Sequence, residues 1–233
     1  TAGLLALCGI LAALVERQKS GRGQYVETSL FEAGIIHTFW HSAIALATGI
    51  APGPMGSAHP LSAPYQAFPT ADGWMVIGAS NQANWLRLVE VLEAPELAQD
   101  PRFQDNASRL AYRLELEAEL ARRFQRRTTA DWLAALERAG VPAGPVNDIL
   151  AMLADPQTLA RAMRVKVPHS RLGEVETLGL PIKFSRTPGG PKRGAPVFGE
   201  HTRAVLAELG YSHEAIEELL ASRAAVAADA GGP

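Results

Sequence analysis

The sequence lacks most of the features that reveal a function from residue types alone. Its 233 residues include one cysteine, which excludes an internal disulfide framework and fits a reducing compartment such as the cytoplasm. Lysine and arginine (22) nearly balance aspartate and glutamate (24), so the net charge of −2 gives no electrostatic reason to expect nucleic acid as a partner. The sequence also contains no glycine-rich phosphate loop, no Gly-x-Gly-x-x-Gly and no Gly-x-Ser-x-Gly.

Long hydrophobic runs and metal-binding clusters are missing as well. The most apolar stretch, residues 1–15, is shorter than the ~18 apolar residues that a membrane span needs. It also lacks the basic region that begins a signal peptide. His37 and His41 are one helical turn apart, but no third ligand lies near them in the sequence. The sequence therefore predicts no membrane partner and no bound metal.

What the sequence does contain begins with an α/β unit. Alanine and leucine dominate residues 4–17, which predicts a helix that is apolar on all sides and therefore buried. Gly21 and Gly23 predict a turn. Residues 24–28 alternate as in a strand, and Ser29 is a candidate N-cap for one helix over residues 30–48.

The middle of the chain predicts a hairpin followed by helices. Asp72-Gly73 separates two apolar runs, residues 65–69 and 74–79, and Asp-Gly is a strong hairpin signal because the turn needs positive φ. Further elements are expected as helices up to residue 92, over 109–127, 130–139 and 149–154, as two short strands at 165–167 and 174–177, and as helices over 202–209 and 215–220. The candidate N-caps are Asn81 for the helix that ends at 92, Thr128 or Thr129 for 130–139, and Ser212 for the last helix.

Several phrases, in this order, resemble the family III CoA-transferases, which include formyl-CoA and carnitine CoA-transferases and the 2-methylacyl-CoA racemases. Each phrase is weak alone, but together they are collinear over about residues 1–221. The phrases are residues 13–33, Pro64-Tyr-Gln-Ala-Phe68 with Thr70-Ala-Asp-Gly73, Asp100-Pro-Arg-Phe103 with Asn106, Arg109 and Arg113, Gly140-Val-Pro-Ala-Gly-Pro-Val-Asn147, and Pro196-Val-Phe-Gly-Glu-His-Thr202.

The resemblance implies a helix-rich α/β fold. Residues 1–60 and 180–233 are expected to be the C-terminal part of a large nucleotide-fold domain, discontinuous in sequence and without its N-terminal half. Residues 64–170 are expected to form a small α+β domain. Members of the family are interlocked dimers, so the resemblance also implies a homodimer in the full protein.

The resemblance implies a covalent mechanism too. An aspartate carboxylate attacks an acyl-CoA thioester, and CoA passes through an aspartyl-CoA intermediate to a second carboxylic acid. The landmark Ala2-Gly3 places that aspartate about two positions before Thr1. This chain is therefore expected to be the C-terminal portion of the enzyme, inactive alone and without a catalytic residue. Its partners are expected to be an acyl-CoA and a carboxylic acid, with the CoA thioester as substrate and no permanently bound cofactor.

The family's loop that shields the intermediate from water matches Gly56, Ser57, Ala58 and His59. Gly56 permits the turn, and Ser57 and His59 are expected to donate hydrogen bonds to the acid. The loop departs from the poly-glycine form of formyl-CoA transferase and looks more like members that use succinyl-CoA and dicarboxylic acids. The alternative is a plain domain linker. His201 is expected to act locally at a helix start rather than as a base.

Two alternatives for the whole protein stay open on the sequence. A 2-methylacyl-CoA racemase uses the same scaffold for proton transfer at the α-carbon, and it would need a histidine base ahead of Thr1. A non-catalytic dimerisation or binding fragment is the alternative from another class. An aspartate encoded just ahead of Thr1 would favour the transferase over the binding fragment.

Overall fold

The computed structural model describes residues 1–228 and is a helix-rich α/β structure in two compact units, Thr1–Gly144 and Pro145–Pro233. The first unit holds α1 (Ala2–Ser20), α2 (Leu30–Ile36), α3 (Phe39–Thr48), β1 (Tyr65–Pro69), β2 (Trp74–Gly78), α4 (Gln82–Val91), α5 (Pro95–Gln99), α6 (Asn106–Ala111), α7 (Arg113–Phe124) and α8 (Thr129–Arg138). The short strand β3 (Ala143–Pro145) lies where the first unit ends, and the second unit holds α9 (Ile149–Ala154), α10 (Pro156–Ala160), β4 (Arg164–His169), β5 (Gly173–Leu178), α11 (Thr202–Glu208) and α12 (His213–Ala221).

The domain boundaries expected from the family resemblance stay a prediction, because they concern the domains of a complete protein. The last five residues of the expected segment 180–233 lie outside the described residues. Within residues 1–228, no helix combines the length and apolarity needed to cross a membrane.

The core of the first unit forms around the predicted hairpin. β1 and β2 pair antiparallel from Tyr65 opposite Gly78 to Pro69 opposite Trp74, as the Asp-Gly turn predicts. One face of this hairpin is buried with the apolar sides of α4, α7 and α8, which contribute Trp85, Leu88, Leu116, Leu120, Phe124, Trp132 and Leu136. Each fully buried side chain of this size contributes about 1.5–3 kcal/mol of hydrophobic stabilisation, so this core holds the hairpin rigidly.

The predicted helix caps are confirmed by hydrogen bonds. Ser29, Asn81, Thr128 and Ser212 each accept a backbone N–H from the first turn of the helix that follows. The pair of short strands is confirmed as well, since β4 and β5 form an antiparallel hairpin.

The burial predicted for α1 is wrong in this chain. The helix exists, but none of its residues is buried, and Leu4 is 67% exposed. Apolar composition favours burial only where neighbours cover the helix. Here α2 packs against α1, and Val26 lies so close to Gly9 that a Cβ at that glycine would be 2.7 Å from the Val26 methyl group. These contacts cover too little of the helix to bury it.

Three other sequence expectations need correction. Residues 24–28 form no strand, because the described residues offer them no partner strand. The helix predicted over residues 30–48 breaks after Ile36, where the Thr38 hydroxyl donates to the Ile35 carbonyl at 2.7 Å and competes with the helical pattern. The helix predicted over residues 109–127 is two helices, α6 and α7, that meet at Tyr112.

Strand β3 is absent from the sequence expectations, because its proline and glycine indicate a turn. It lies beside β2 at the edge of the sheet, a position where proline costs no ladder hydrogen bond.

The hairpin turn generates a prediction about acid stability. Asp72 accepts hydrogen bonds from the Thr129 backbone N–H (2.7 Å) and from the Thr129 and Thr70 hydroxyls. These bonds, the Thr129 N–H first, hold the pKa of Asp72 below its ordinary value of 3.8. A carboxyl whose pKa is lower in the folded than in the unfolded state stabilises the fold fully above the unfolded pKa, and this stability is lost as the pH falls through about 4 and below.

We therefore expect Asp72→Asn to reduce the free energy of unfolding at pH 7 and to weaken its fall between about pH 5 and pH 3, as measured by urea unfolding at each pH. Glu137→Gln, at an exposed carboxylate of α8, is the control. An Asp72→Asn profile with the same pH slope as the parent chain would contradict this account.

Candidate functional site

The segment between α3 and β1 makes a tight turn at the residues that the sequence singles out. The Ala58 N–H donates to the Met55 carbonyl at 3.1 Å, and Gly56, inside this turn, has φ +60. A residue with a Cβ is strained at that φ, so glycine is the residue that suits it.

Two hydrogen bonds fasten the turn to strand β1. The Ser57 hydroxyl oxygen accepts the Ala67 N–H at 3.0 Å, and the His59 N–H donates to the Tyr65 carbonyl at 2.9 Å. Because Ser57 uses its oxygen as the acceptor, its own hydroxyl hydrogen can donate to another group. The loop is therefore attached to the strand that packs on the apolar core.

The His59 ring contacts two aromatic side chains. It stacks on Tyr65 with ring centroids 5.3 Å apart and an interplanar angle of 6°, and the Trp40 ring of α3 lies 5.2 Å from it, tilted by 48°. The ring nitrogen Nδ1 accepts the Leu61 N–H at 3.1 Å. The neutral ring must then carry its proton on Nε2, which makes Nε2 a hydrogen-bond donor of fixed direction.

These residues line a cleft of about 280 Å³. It lies between α3, the loop and the hairpin, and its lining residues are Trp40, His41, Ser57, Ala58, His59, Pro60, Tyr65, Gln66, Ala67 and Val76. No aspartate or glutamate is among these lining residues. An apolar and aromatic wall with several hydrogen-bond donors is suited to a small anionic ligand, and a carboxylate forms its strongest hydrogen bonds with such donors.

The exit of the loop is held by two side chains of α6. The Asn106 side chain accepts the Ala63 N–H at 3.0 Å and donates to the Leu61 carbonyl at 3.0 Å. Arg109, one turn later, donates from Nε to the Ala63 carbonyl at 2.7 Å. Both backbone polar groups of Ala63 are therefore bound by the same helix.

Arg109 is also the centre of a larger network. Its side chain is completely buried, and it donates to the carbonyls of Phe103 and Ser80 and to the Gln82 side chain at 3.0–3.1 Å. Its guanidinium lies over the Trp85 ring at 5.1 Å. Burial lowers the pKa of Arg109, and the negative charge of Asp105 opposes that shift. An arginine stays protonated under these conditions, so a buried cation joins α6 to three other segments of the unit.

The structure brings three of the four predicted loop residues to the cleft. Ser57, Ala58 and His59 line it, whereas Gly56 lies at the exposed turn and shapes the loop from outside. His41 also lines the cleft, and its Nδ1 is buried without a hydrogen-bond partner among residues 1–228. His37 instead contacts the start of α1, with Nε2 2.6 Å from the Thr1 hydroxyl.

The remaining histidine from the family phrases lies in the second unit. His201 is the N-cap residue of α11, but its side chain makes no capping hydrogen bond there, so its local role is not that of a side-chain cap. Glu200 accepts the Val197 N–H at 2.8 Å instead, within the preceding turn. Among residues 1–228 there is no group of three or more histidine, cysteine, aspartate or glutamate side chains arranged to hold a metal.

Sequence reasoning missed the aromatic wall and the roles of the two α6 residues. Asn106 and Arg109 stand in the family phrases, and their spacing of three places them on one face of a helix. This spacing indicates that the two side chains act together. It does not indicate that they bind the loop exit, which lies more than 40 residues earlier in the chain.

Comparisons with known proteins agree with the family phrases. The profile described as CoA-transferase family III matches residues 1–202. An acyl-CoA transferase of Fusarium pseudograminearum is 38% identical over 216 residues, which are 92% of this chain and 47% of that protein. The succinyl-CoA:glutarate CoA-transferase of Homo sapiens is 32% identical over 221 residues, which are 94% of this chain and 50% of that protein.

The solved structures give the same result for the fold. A CAIB/BAIF family protein from Brucella suis has a TM-score of 0.75 and 36% identity, and the match covers 89% of this chain and 54% of that one. The chain spans about half the length of the curated relatives it matches.

The turn at Gly56 generates a prediction about stability. Gly56→Ala should lower the free energy of unfolding by about 1 kcal/mol, because an L-residue at this φ is strained. The space around a Cβ at Gly56 is open, so the cost is conformational and not steric.

Gly53→Ala is the matched control, since Gly53 lies in the same loop with open space and without a positive φ. Urea unfolding of both variants measures the difference. Equal unfolding free energies for the two variants would contradict the assigned backbone strain.

Proposed function

The chain belongs to CoA-transferase family III, and from that premise we propose that the protein moves coenzyme A from an acyl-CoA to a carboxylic acid. We further propose succinyl-CoA as the donor and a dicarboxylic acid as the acceptor. The names of its relatives support this proposal: succinyl-CoA:glutarate CoA-transferase in Homo sapiens and Mus musculus, and succinyl-CoA:mesaconate CoA-transferase in Haloarcula hispanica.

One observation carries the assignment of the acid site. Ser57 and His59 both line the cleft beside the loop, one with a hydroxyl and the other with a ring N–H that can donate, and none of the lining residues is acidic. A carboxylate accepts hydrogen bonds only, so donor side chains without a competing carboxylate suit its recognition. We infer that this loop binds the acid and shields the reacting groups from water. Activity is expected of the complete protein.

The proposed chemistry is stepwise acyl transfer through an aspartate, which the family resemblance assigns to a position just ahead of Thr1. The aspartate carboxylate attacks the thioester carbonyl, and the CoA thiolate leaves as a mixed anhydride forms. The thiolate then attacks the aspartyl carbonyl, which releases the first acid and gives aspartyl-CoA. The second acid repeats these two steps in reverse order, so that the aspartate is regenerated and the new acyl-CoA leaves. Water would hydrolyse the anhydride, hence the need for a shielding loop.

We also infer a cytoplasmic homodimer in which no cofactor is permanently bound. The reasons are the family resemblance and the single cysteine, which fits a reducing compartment. The proposed domains are residues 1–60 with 180–233, and residues 64–170. The 2-methylacyl-CoA racemase is the competing function, and the experiment below distinguishes it.

The complete protein, incubated with succinyl-CoA and a panel of dicarboxylic acids, should form the corresponding new CoA thioester, detectable by mass spectrometry. His59→Phe keeps an aromatic ring beside Trp40 and Tyr65 and removes both ring nitrogens, the Nε2 donor and the Nδ1 that accepts the Leu61 N–H. We expect this variant to raise KM for the acid about 10- to 100-fold, the loss of one hydrogen bond to a charged group. KM for succinyl-CoA should change little.

His213→Phe, at an exposed histidine of α12, is the control and should leave both constants unchanged. Absence of transfer to every acid, together with incorporation of deuterium at C2 of a branched acyl-CoA, would replace the transferase with the racemase. A His59→Phe protein with an unchanged KM for the acid would remove His59 from the acid site.

A further inference from the structure

We propose that Asn106 and Arg109 are positioning residues for the acid site, holding the loop so that the donors of Ser57 and His59 face the cleft. The effect on acid binding rests on the proposed function. That the two side chains hold the loop rests on contacts within the first unit alone. Neither side chain lines the cleft, so both act through the backbone of the loop.

The Asn106 contact requires a carboxamide. Its side chain uses an acceptor toward the Ala63 N–H and a donor toward the Leu61 carbonyl, both at 3.0 Å. An aspartate at this position keeps the acceptor, loses the donor, and places a negative charge against the Leu61 carbonyl. The two bonds fix the backbone on either side of residue 62, so the chain there has one geometry.

Arg109 adds a further hydrogen bond between α6 and the loop exit. The bond from Nε to the Ala63 carbonyl at 2.7 Å completes the pairing of Ala63, whose side chain is buried. The other guanidinium nitrogens bind carbonyls at Phe103 and Ser80, so the loop exit is connected to the start of α4 and to the segment before α6. A completely buried cation is costly unless hydrogen bonds compensate it, and here four bonds do so.

The fixed segment, Leu61 to Ala63, lies in the chain between His59 and its contact partner Tyr65. His59 donates its N–H to the Tyr65 carbonyl and stacks on the Tyr65 ring, and Leu61 and Ala63 lie between these partners in the chain. The Leu61 N–H also donates to His59 Nδ1, which sets the proton on Nε2. If the loop exit shifts, this bond and the direction of the Nε2 donor shift with it.

Hydrogen exchange of the 233-residue chain tests the structural part. Asn106→Asp should raise the exchange rates of the His59 and Ala67 amides about tenfold more than those of core amides such as Leu120. The reason is that the loop opens more often in this variant while the core stays folded. Thr128→Ala is the matched control: it removes an N-cap and does not touch the loop, so it should change His59, Ala67 and Leu120 alike.

A uniform change at all three amides in Asn106→Asp would overturn the proposal, because it would make Asn106 a general stabiliser. Arg109→Lys is the second variant. Lysine keeps the positive charge but cannot donate to all of the carbonyls that arginine binds. This variant should therefore raise the exchange rates at His59 and Ala67 more than the rate at Leu120.

Kinetics of the complete protein test the consequence for the acid site. Asn106→Asp should raise KM for the acid about tenfold, as expected for a displaced binding group, while kcat and KM for succinyl-CoA stay within about threefold. An equal loss in all three constants would overturn the positioning role. If the parent protein transfers CoA to no acid, the proposed function fails, and the exchange rates still decide whether Asn106 and Arg109 hold the loop.

Discussion

The buried guanidinium of Arg109 is the interaction on which the arrangement of the site depends. It has no contact with solvent, and its four hydrogen bonds reach three backbone carbonyls and one amide oxygen, in three segments separated in the sequence. In a buried environment such bonds are strong, and an unpaired member would be costly. The loop exit, the start of α4 and the approach to α6 must therefore keep one relative geometry.

The loop that lines the cleft is fixed by β1 and by α6. Strand β1 lies on the apolar core and presents Tyr65 and Ala67 to the loop, and α6 fixes the loop from its other end. The loop is thus bound from Ser57 to Ala63, while Gly56 stays exposed. Such an arrangement fixes two residues of the cleft before a ligand binds, which lowers the entropic cost of binding. The hydrogen bonds that organise the site come from residues outside the cleft.

The sequence predicts the local parts of this structure and misses those that depend on distant contacts. Asp72-Gly73 specifies the hairpin and Asn81 begins α4, because turns and caps are decided by neighbouring residues. The exposure of α1 depends on what surrounds the helix, and composition does not encode that. The family resemblance identifies Gly56, Ser57 and His59. It does not identify Trp40 or the target of Arg109, because the residues they contact are far along the chain.

A crystal structure of the complete protein with a bound dicarboxylic acid tests the central claim most directly. The account predicts one carboxylate in the cleft, about 3 Å from Ser57 Oγ and from His59 Nε2, with His59 still stacked on Tyr65. An acid bound away from these two atoms, or a His59 ring turned so that Nε2 faces away from the cleft, would contradict it.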